Sequence, residues 1–277
     1  MEAPACSVSS DKVPCRKMSQ SSATFPEERL QPWLSGTLLP FWADAGFDRA
    51  HGAFVEKFEP SGEASREDYT RVRVQARQIY VFSHAAVAGF GEVGLDRARQ
   101  AFAFLEAHAW DGEEGGWFQR LRRSGPPLDR TKDSYDHAFL LLAMAWLYRA
   151  GGDDRVLRRA EETSAYLDAR FSVTRDGGFD GYREQVSGQE TAPGAELPLP
   201  RRQNPHMHLL EAYLALYEAS GEAQWLAQAG RMFDLFERYF FDAARGQLIE
   251  FFDRDWREVP QDGRRLREPG HHFEWTW

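Results

Sequence analysis

A glycine-centred motif recurs four times along the chain and constrains its fold more than any other feature. Each copy places aromatic or apolar residues after a glycine and polar residues after those, as in HGAFVEKF, GGWFQRL, GGFDGYRE and GQLIEFFD. The marker glycines Gly52, Gly116, Gly178 and Gly246 are separated by 64, 62 and 68 residues. Each interval is long enough for two helices of ordinary length and a loop. The repeat predicts a protein assembled from helix pairs.

Helical patterning fills the intervals between these glycines. Residues 136–149 and 206–219 carry apolar side chains at spacings of three and four, and glycines follow both segments, as helix ends prefer. Further helices are predicted at about residues 26–43, 70–89, 95–109, 153–170 and 222–241, with an eighth beginning near His271. Helix pairs joined alternately by tight turns and longer loops predict an all-α toroid whose loops gather at one mouth. An open helical solenoid would carry the same repeat.

Composition excludes several classes of protein. The net charge is −9 and basic residues are scattered among acidic ones, so we expect no nucleic-acid partner. No apolar run approaches the roughly 18 residues of a membrane span, and the N-terminus lacks the apolar middle of a signal peptide, so we expect a cytoplasmic protein away from membranes. The Ser-rich residues 1–23, with Cys6 and Cys15, are predicted to be a disordered leader before one domain at 24–277.

Two stretches present polar groups that could bind a sugar. Arg73 and Arg77 are four apart and share a helix face, where a guanidinium could hold hydroxyls or a developing oxyanion. A solvated surface pair is the alternative. Tyr135 and His137 lie at the start of an apolar helix, where unpaired backbone donors gather. N-terminal capping by the polar residues before them accounts for the same pattern.

Two further stretches are rich in histidine. Asn204, His208 and Glu211 share one face near a helix start, which favours a hydrogen-bonded site residue over a core histidine. The His-x-His pair at this helix points in separate directions, so we predict no metal site. His271 and Glu274 are three apart, a spacing at which a carboxylate can orient an imidazole as general base. A polar chain end without a role is the alternative there.

Four motifs in this order resemble the N-acylglucosamine 2-epimerase superfamily. They are RVRVQARQIY, YDHAFLLLA, NPHMHLLEAYLALYEASG and PGHHFEW, and the resemblance covers residues 26–277. It is closest to the mannose isomerase-like members. The resemblance implies an (α/α)6 barrel, which would make the repeat a ring and not a solenoid. About seven to eight of the twelve helices are present, so we expect an incomplete barrel, truncated at its C-terminus.

The resemblance also implies roles for particular residues. It implies catalysis by His271, Glu274, Arg77 and His208, and substrate binding by Tyr135 and Asn204. Glu274 would support His271, and Arg77 would stabilise an enediolate oxygen. Arg73 and His137 remain substrate-binding candidates from their positions alone, and His272 does not match the family pattern.

The implied reaction is proton transfer at C2 of an open-chain aldose, without a metal or redox cofactor. We expect mannose–fructose isomerisation, with N-acylglucosamine or cellobiose 2-epimerisation as the alternative. A small sugar is the expected partner, and a homodimer is compatible with the sequence. The family's second catalytic histidine would follow Trp277, so an inactive fragment that binds a sugar or a partner is a further alternative. An α/α-barrel glycoside hydrolase is another, with Asp111, Glu113 and Glu114 as its candidate carboxylates.

Overall fold

The computed structural model describes residues 26–187 and 200–276 of the chain. Helices occupy every segment for which the sequence predicts one. They are α1 (Pro26–Trp33), α2 (Leu39–Asp44), α3 (Val72–Val87), α4 (Leu95–His108), α5 (Ser134–Gly151), α6 (Asp154–Tyr166), α7 (Asn204–Ser220), α8 (Ala223–Leu235) and α9 (Pro269–Glu274). None of these described helices combines the length and apolar character that crossing a membrane requires. The predicted leader, residues 1–23, lies outside the described residues.

Two layers of helices alternate along the chain. α5 packs against both α3 and α7, so these three lie side by side as the inner layer. α4, α6 and α8 each pack on the inner helix that precedes them and form the outer layer. The inner-to-outer turns after α5 and α7 are short because Gly152 and Gly221 adopt left-handed conformations there, with φ of 66° and 74°. α5 is buried almost all round because it has neighbours on three sides.

Short antiparallel strands, which the sequence analysis does not predict, connect the long loops. The pairs and the one three-stranded sheet are β1 (Phe47–Asp48) with β2 (Ala53–Phe54), β3 (Tyr69–Arg71) with β4 (Arg120–Arg122) and β5 (Pro127–Asp129), β6 (Lys132–Asp133) with β9 (Gln185–Val186), β7 (Ser172–Arg175) with β8 (Gly178–Tyr182), β10 (Arg201–Arg202) with β13 (Phe251–Phe252), and β11 (Phe241–Asp242) with β12 (Gln247–Leu248). The strand just before each of α3, α5 and α7 pairs with a strand in the long loop that follows the next outer helix. The loops therefore form a hydrogen-bonded rim around the starts of the inner helices.

One side chain per repeat fastens the start of an inner helix to the loop that precedes it. We call these the staple residues: Gln75, His137, His206 and His272. In each histidine, Nδ1 donates to the backbone carbonyl four residues earlier, at 2.7, 3.0 and 3.2 Å in chain order. Nε2 accepts a backbone N–H of the glycine-aromatic loop, at 3.1, 3.0 and 3.0 Å. Gln75 instead bonds both backbone groups of Phe54.

The staple explains why His137 is not a ligand-binding residue. Its ring is fully buried, and both nitrogens are taken by backbone groups. The predicted substrate contact of His137 is therefore wrong, because the side chain points from the helix into the loop layer. Burial lowers the pKa of His137 and of His206 to about 4, so both staples are neutral near pH 7.

Candidate functional site

The staple residues also determine which face of each inner helix is turned to the middle of the barrel. Residues two before and two after a staple lie four apart, on the helix face opposite to it. These flanking residues are Arg73 and Arg77 on α3, Tyr135 and Phe139 on α5, and Asn204 and His208 on α7. The three faces meet: the Arg77 guanidinium lies 4.1 Å from the Phe139 ring centre, and the His208 ring lies 4.5 Å from the same ring.

Arg77 and Tyr135 form the first polar unit of this face. Arg77 Nη2 donates to the Tyr135 hydroxyl oxygen at 2.5 Å. The guanidinium is exposed and has no carboxylate partner among the residues that the structure describes. Burial raises the pKa of Tyr135, which keeps its hydroxyl protonated. Because the hydroxyl accepts from Arg77, its own proton remains available for a ligand oxygen.

His271 and Glu250 form the second unit, where α9 meets the loop of β12 and β13. His271 Nδ1 lies 2.9 Å from Glu250 Oε2, and Asn204 Nδ2 lies 3.2 Å from His271 Nε2. The hydrogen bond to Glu250 raises the pKa of His271, although burial acts in the opposite direction. Burial alone would raise the pKa of Glu250, but the hydrogen bonds from His271 and Gln203 bring it below the usual value. The pair is arranged as an oriented imidazole beside a carboxylate.

His208 forms the third unit, on α7. Its Nδ1 lies 3.1 Å from Glu211 Oε2, as the shared helix face predicts, and its Nε2 lies 3.8 Å from Glu274 Oε2. Its ring meets the Tyr135 ring edge to face at 5.3 Å. The structure therefore brings together five of the predicted site side chains: Arg77, Tyr135, Asn204, His208 and His271. Within residues 26–187 and 200–276, no group of His, Cys, Asp and Glu side chains has the arrangement of a metal site.

Comparison with known proteins assigns the chain to a family. The family model described as N-acylglucosamine 2-epimerase (GlcNAc 2-epimerase) matches residues 52–277. The chain belongs to this family. It is 35% identical over 253 residues to a mannose-6-phosphate isomerase of Rhizobium meliloti (strain 1021). The aligned region covers 90% of this chain and 61% of the relative. It is 27% identical over 258 residues to a cellobiose 2-epimerase of Bacteroides fragilis, covering 91% of this chain and 64% of the relative.

Solved structures of the N-acylglucosamine 2-epimerase family confirm the fold. The cellobiose 2-epimerase of Bacillus thermoamylovorans B4167 superposes with a TM-score of 0.81 at 23% identity, covering 90% of this chain and 64% of that one. The helices thus belong to an (α/α)6 barrel, as predicted, and not to an open solenoid. The chain spans about three fifths of the length of these curated relatives.

Two of the predicted site residues have other partners. Arg73 is not free for substrate, because its Nε lies 2.5 Å from the buried Asp136 carboxylate, and Asp133 lies 3.8 Å away. Its guanidinium instead lies 5.2 Å from the Tyr135 ring centre. Glu274 is not the carboxylate that bonds His271, which is Glu250, and its charge makes only a minor contribution to the raised pKa of His271. Glu274 is half-exposed and reaches towards His208, because it lies on the face of α9 that is turned to the lumen, the middle of the barrel.

Glu250, which holds His271, is the site residue that the sequence analysis missed. The glycine repeat carries a signal for it. Glu56 and Glu184, in the first and third copies, each bind an arginine that stands just before the next inner helix, at Arg71 and Arg202. Glu250 has the corresponding place in the fourth copy: it accepts the backbone N–H of Glu268, which stands at the arginine position, and its side-chain partner is His271.

The carboxylates considered for a glycoside hydrolase do not form a catalytic pair. Asp111, Glu113 and Glu114 belong to a single turn, in which Asp111 accepts the backbone N–H groups of the other two. Asp111 is buried and also bonded to Lys132 Nζ at 2.8 Å. A glycosidase needs two carboxylates on opposite sides of a cleft. Asp111 instead caps the turn and holds the buried Lys132, with Glu114 4.0 Å from the same ammonium group.

Proposed function

We propose that the site catalyses aldose–ketose isomerisation of a free hexose of the mannose type, through an enediolate. A base removes the C2 proton of the open-chain aldose, the C–H electron pair forms the C1=C2 bond, and O1 takes up negative charge. Transfer of the O2 proton to O1, and return of the abstracted proton to C1 as the C2 carbonyl forms, gives the ketose. This route needs neither a metal nor a redox cofactor.

The observation that carries the proposal is the His271–Glu250 pair. With a proton on Nδ1 directed at Glu250 Oε2, Nε2 keeps a lone pair on the side of Asn204 and the barrel centre. A histidine in this state is a general base, and such proton transfer typically contributes about 10² to 10⁴ in rate. We assign the abstraction of the C2 proton to His271 Nε2.

Arg77 and Tyr135 supply the stabilisation of the enediolate. The Arg77 charge has no described carboxylate to neutralise it, unlike that of Arg73. Two donors of fixed position, one of them charged, suit an oxygen that becomes negative only as the reaction proceeds. Removing one such donor from an oxyanion site costs about 10² to 10³ in rate.

Isomerisation fits the site because one base can move the proton from C2 to C1 on the same face of the enediolate. The mannose-6-phosphate isomerase relative supports this choice. A second candidate is 2-epimerisation, which needs another acid on the opposite face. The His208–Glu211 pair could provide that acid, and the cellobiose 2-epimerase relative supports this alternative. We further propose that the protein acts in the cytoplasm, on a small sugar, and that a homodimer is its assembled form.

Proton NMR in D2O tests the proposal with mannose, mannose 6-phosphate, glucose, N-acetylmannosamine and cellobiose. Fructose formed from mannose, together with deuterium uptake by the sugar, supports the isomerase, and a deuterated 2-epimer supports the alternative. His271→Ala removes the base and should abolish uptake. Phe273→Ala is the matched control, since Phe273 is on the same helix and is 74% exposed. Absence of exchange with every sugar, in protein shown by circular dichroism to be folded, would contradict both reactions for this chain.

A further inference from the structure

We propose that Glu250 is a positioning residue that fixes the proton of His271 on Nδ1 and so presents Nε2 as the base, with Gln203 holding the carboxylate in place. The inference rests on the proposed function, in which His271 removes the C2 proton. It adds a residue from a loop that lies 21 positions before His271 in the chain. Glu250 does not contact the substrate in this scheme, and it acts only through the histidine.

The orientation of Gln203 decides where its amide hydrogens point. Trp275 Nε1 donates to Gln203 Oε1 at 2.7 Å, so the amide nitrogen of Gln203 is on the side of Glu250. That nitrogen donates to Glu250 Oε2 at 2.9 Å. Because Trp275 Nε1 is only a donor, the reversed amide would place two donors against each other. The side-chain amide is thereby fixed in one of its two orientations.

The proton position on His271 follows from its neighbours. Nδ1 lies 2.9 Å both from Glu250 Oε2, an acceptor, and from the amide nitrogen of Gln203, a donor. A proton on Nδ1 makes a charge-assisted hydrogen bond to the carboxylate, whereas a lone pair there would face the carboxylate charge at the same distance. The Nδ1–H form also lets Nε2 accept from Asn204 Nδ2. The exposed Glu268 carboxylate also faces Nε2, but at 3.5 Å it lies farther away than the buried Glu250 does from Nδ1, so the closer, buried carboxylate decides the position of the proton. The charges of Glu268 and Glu274 add to that of Glu250 in raising the pKa of His271.

The other repeats show what this loop carboxylate does when no histidine is present. Glu184 is buried and accepts the backbone N–H of Arg202 at 2.6 Å and its Nε at 2.7 Å. Glu56 binds Arg71 in the same two ways. Arginine stays charged at all ordinary pH values, so neither of these partners can act as a base. In the fourth repeat the side-chain partner is the titratable His271, so the same carboxylate fixes which ring nitrogen of the proposed base carries the proton.

A purely structural role for Glu250 is the competing explanation, because its Oε1 also accepts the backbone N–H of Glu268 at 3.3 Å. The two roles differ in what they do to the His271 ring. A brace holds the loop but leaves the tautomer and the pKa of His271 unchanged when its charge is removed. A positioning residue changes both, and it shifts the pH dependence of proton abstraction with them.

Nitrogen-15 NMR of the histidine rings separates the two roles in Glu250→Gln. His271 signals are assigned by their loss in His271→Ala. We expect the wild type to hold the Nδ1–H form and the pKa of His271 to lie above its ordinary value. In Glu250→Gln the pKa should fall below that of the wild type, because a charge-assisted bond is replaced by a neutral one. The acid limb of the C2-exchange profile should move to lower pH with it, since the base must be neutral.

The exchange rate should fall by about 10²-fold or more in Glu250→Gln, within the range of general base contributions. Glu250→Asp keeps the charge and should recover part of the rate. Glu56→Gln is the matched control, because it removes a buried loop carboxylate that does not contact His271. It should leave the tautomer and the pKa of His271 unchanged.

An unchanged tautomer and pKa of His271 in folded Glu250→Gln would overturn the inference, whatever the sugar chemistry. The ring measurement does not depend on turnover, so the two proposals can fail separately. If Glu250→Gln shifts the titration of the His271 ring but the wild-type protein exchanges no sugar proton, the positioning role stands and the proposed reaction is refuted.

Discussion

The two buried staple histidines should make the protein lose stability as the pH falls below neutral. Burial lowers the pKa of His137 and His206 to about 4 in the folded chain, from an ordinary value of 6.5. Between these values the unfolded chain binds a proton at each histidine and the folded chain does not. The free energy of unfolding therefore falls as the pH falls from 6.5 to about 4, and neither histidine affects the pH dependence above that window.

The size of the effect follows from the width of that window. One pKa unit corresponds to about 1.4 kcal/mol, so each buried histidine should remove about 3 kcal/mol of stability between pH 7 and pH 4. The two rings bond different loops and share no hydrogen-bond partner, so their contributions should add to about 6 kcal/mol. That is comparable to the whole stability of many domains.

Gln75 indicates which substitution isolates the titration, because an amide already serves as the staple of the first repeat. His206→Gln can still accept the loop N–H of Tyr182, but it cannot bind a proton. We expect it to be less stable than the wild type at pH 8 and to lose about 3 kcal/mol less between pH 7 and pH 4. His137→Gln should behave alike, and Gln75→His should add a third step of acid sensitivity.

Urea unfolding between pH 4 and pH 8 measures these differences, since all other titrating groups cancel between the variant and the wild type. The stability advantage of the wild type over His206→Gln should shrink steadily as the pH falls. A difference that stays constant over the whole range would refute the reasoning, because it would mean that His206 titrates alike in the folded and unfolded chains.

Two further predictions concern the site and the glycine repeat. Tyr135→Phe removes the hydroxyl that Arg77 binds at 2.5 Å, and it should lower C2 exchange about tenfold or more without changing the melting temperature. An unchanged exchange rate would remove Tyr135 from the oxyanion site. Gly116→Ala should cost about 3 kcal/mol, because φ is +75° and a Cβ would lie 2.4 Å from the Tyr166 ring. Gly52→Ala, with φ +72° and nothing within 4 Å, should cost only about 1 kcal/mol, and equal losses on urea unfolding would contradict this packing.

Much of the fold could be predicted because the helices carry strong local signals. The predicted 222–241 segment, for example, is α8 with a π-helical turn that ends at Phe240. The strands could not be predicted in the same way. Most have two or three residues, too few for an alternating pattern, and they form because the helix packing brings successive loops together.

The site was predicted in part, and the errors share one cause. Spacing along a helix shows which residues share a face, but not which face meets the lumen. Arg73 shares its face with Arg77, yet its guanidinium is held against the buried side chain of Asp136. Glu250 could not be found from helical spacing at all, because it reaches His271 from another loop.

The staple residues show which face of each inner helix meets the lumen. A histidine that bonds the backbone four residues earlier and the preceding loop has its ring turned away from the lumen, so the residues two places on either side must face it. In the His-x-His pair this makes His206 structural and turns His208 towards the lumen. In α9 it makes His272 structural and sends Glu274 towards His208. His271 comes one place before the staple His272, so its side chain lies between the loop-facing and the lumen-facing sides of α9. Its Nδ1 can therefore meet the loop carboxylate of Glu250 while its Nε2 lies beside Asn204 on the lumen side.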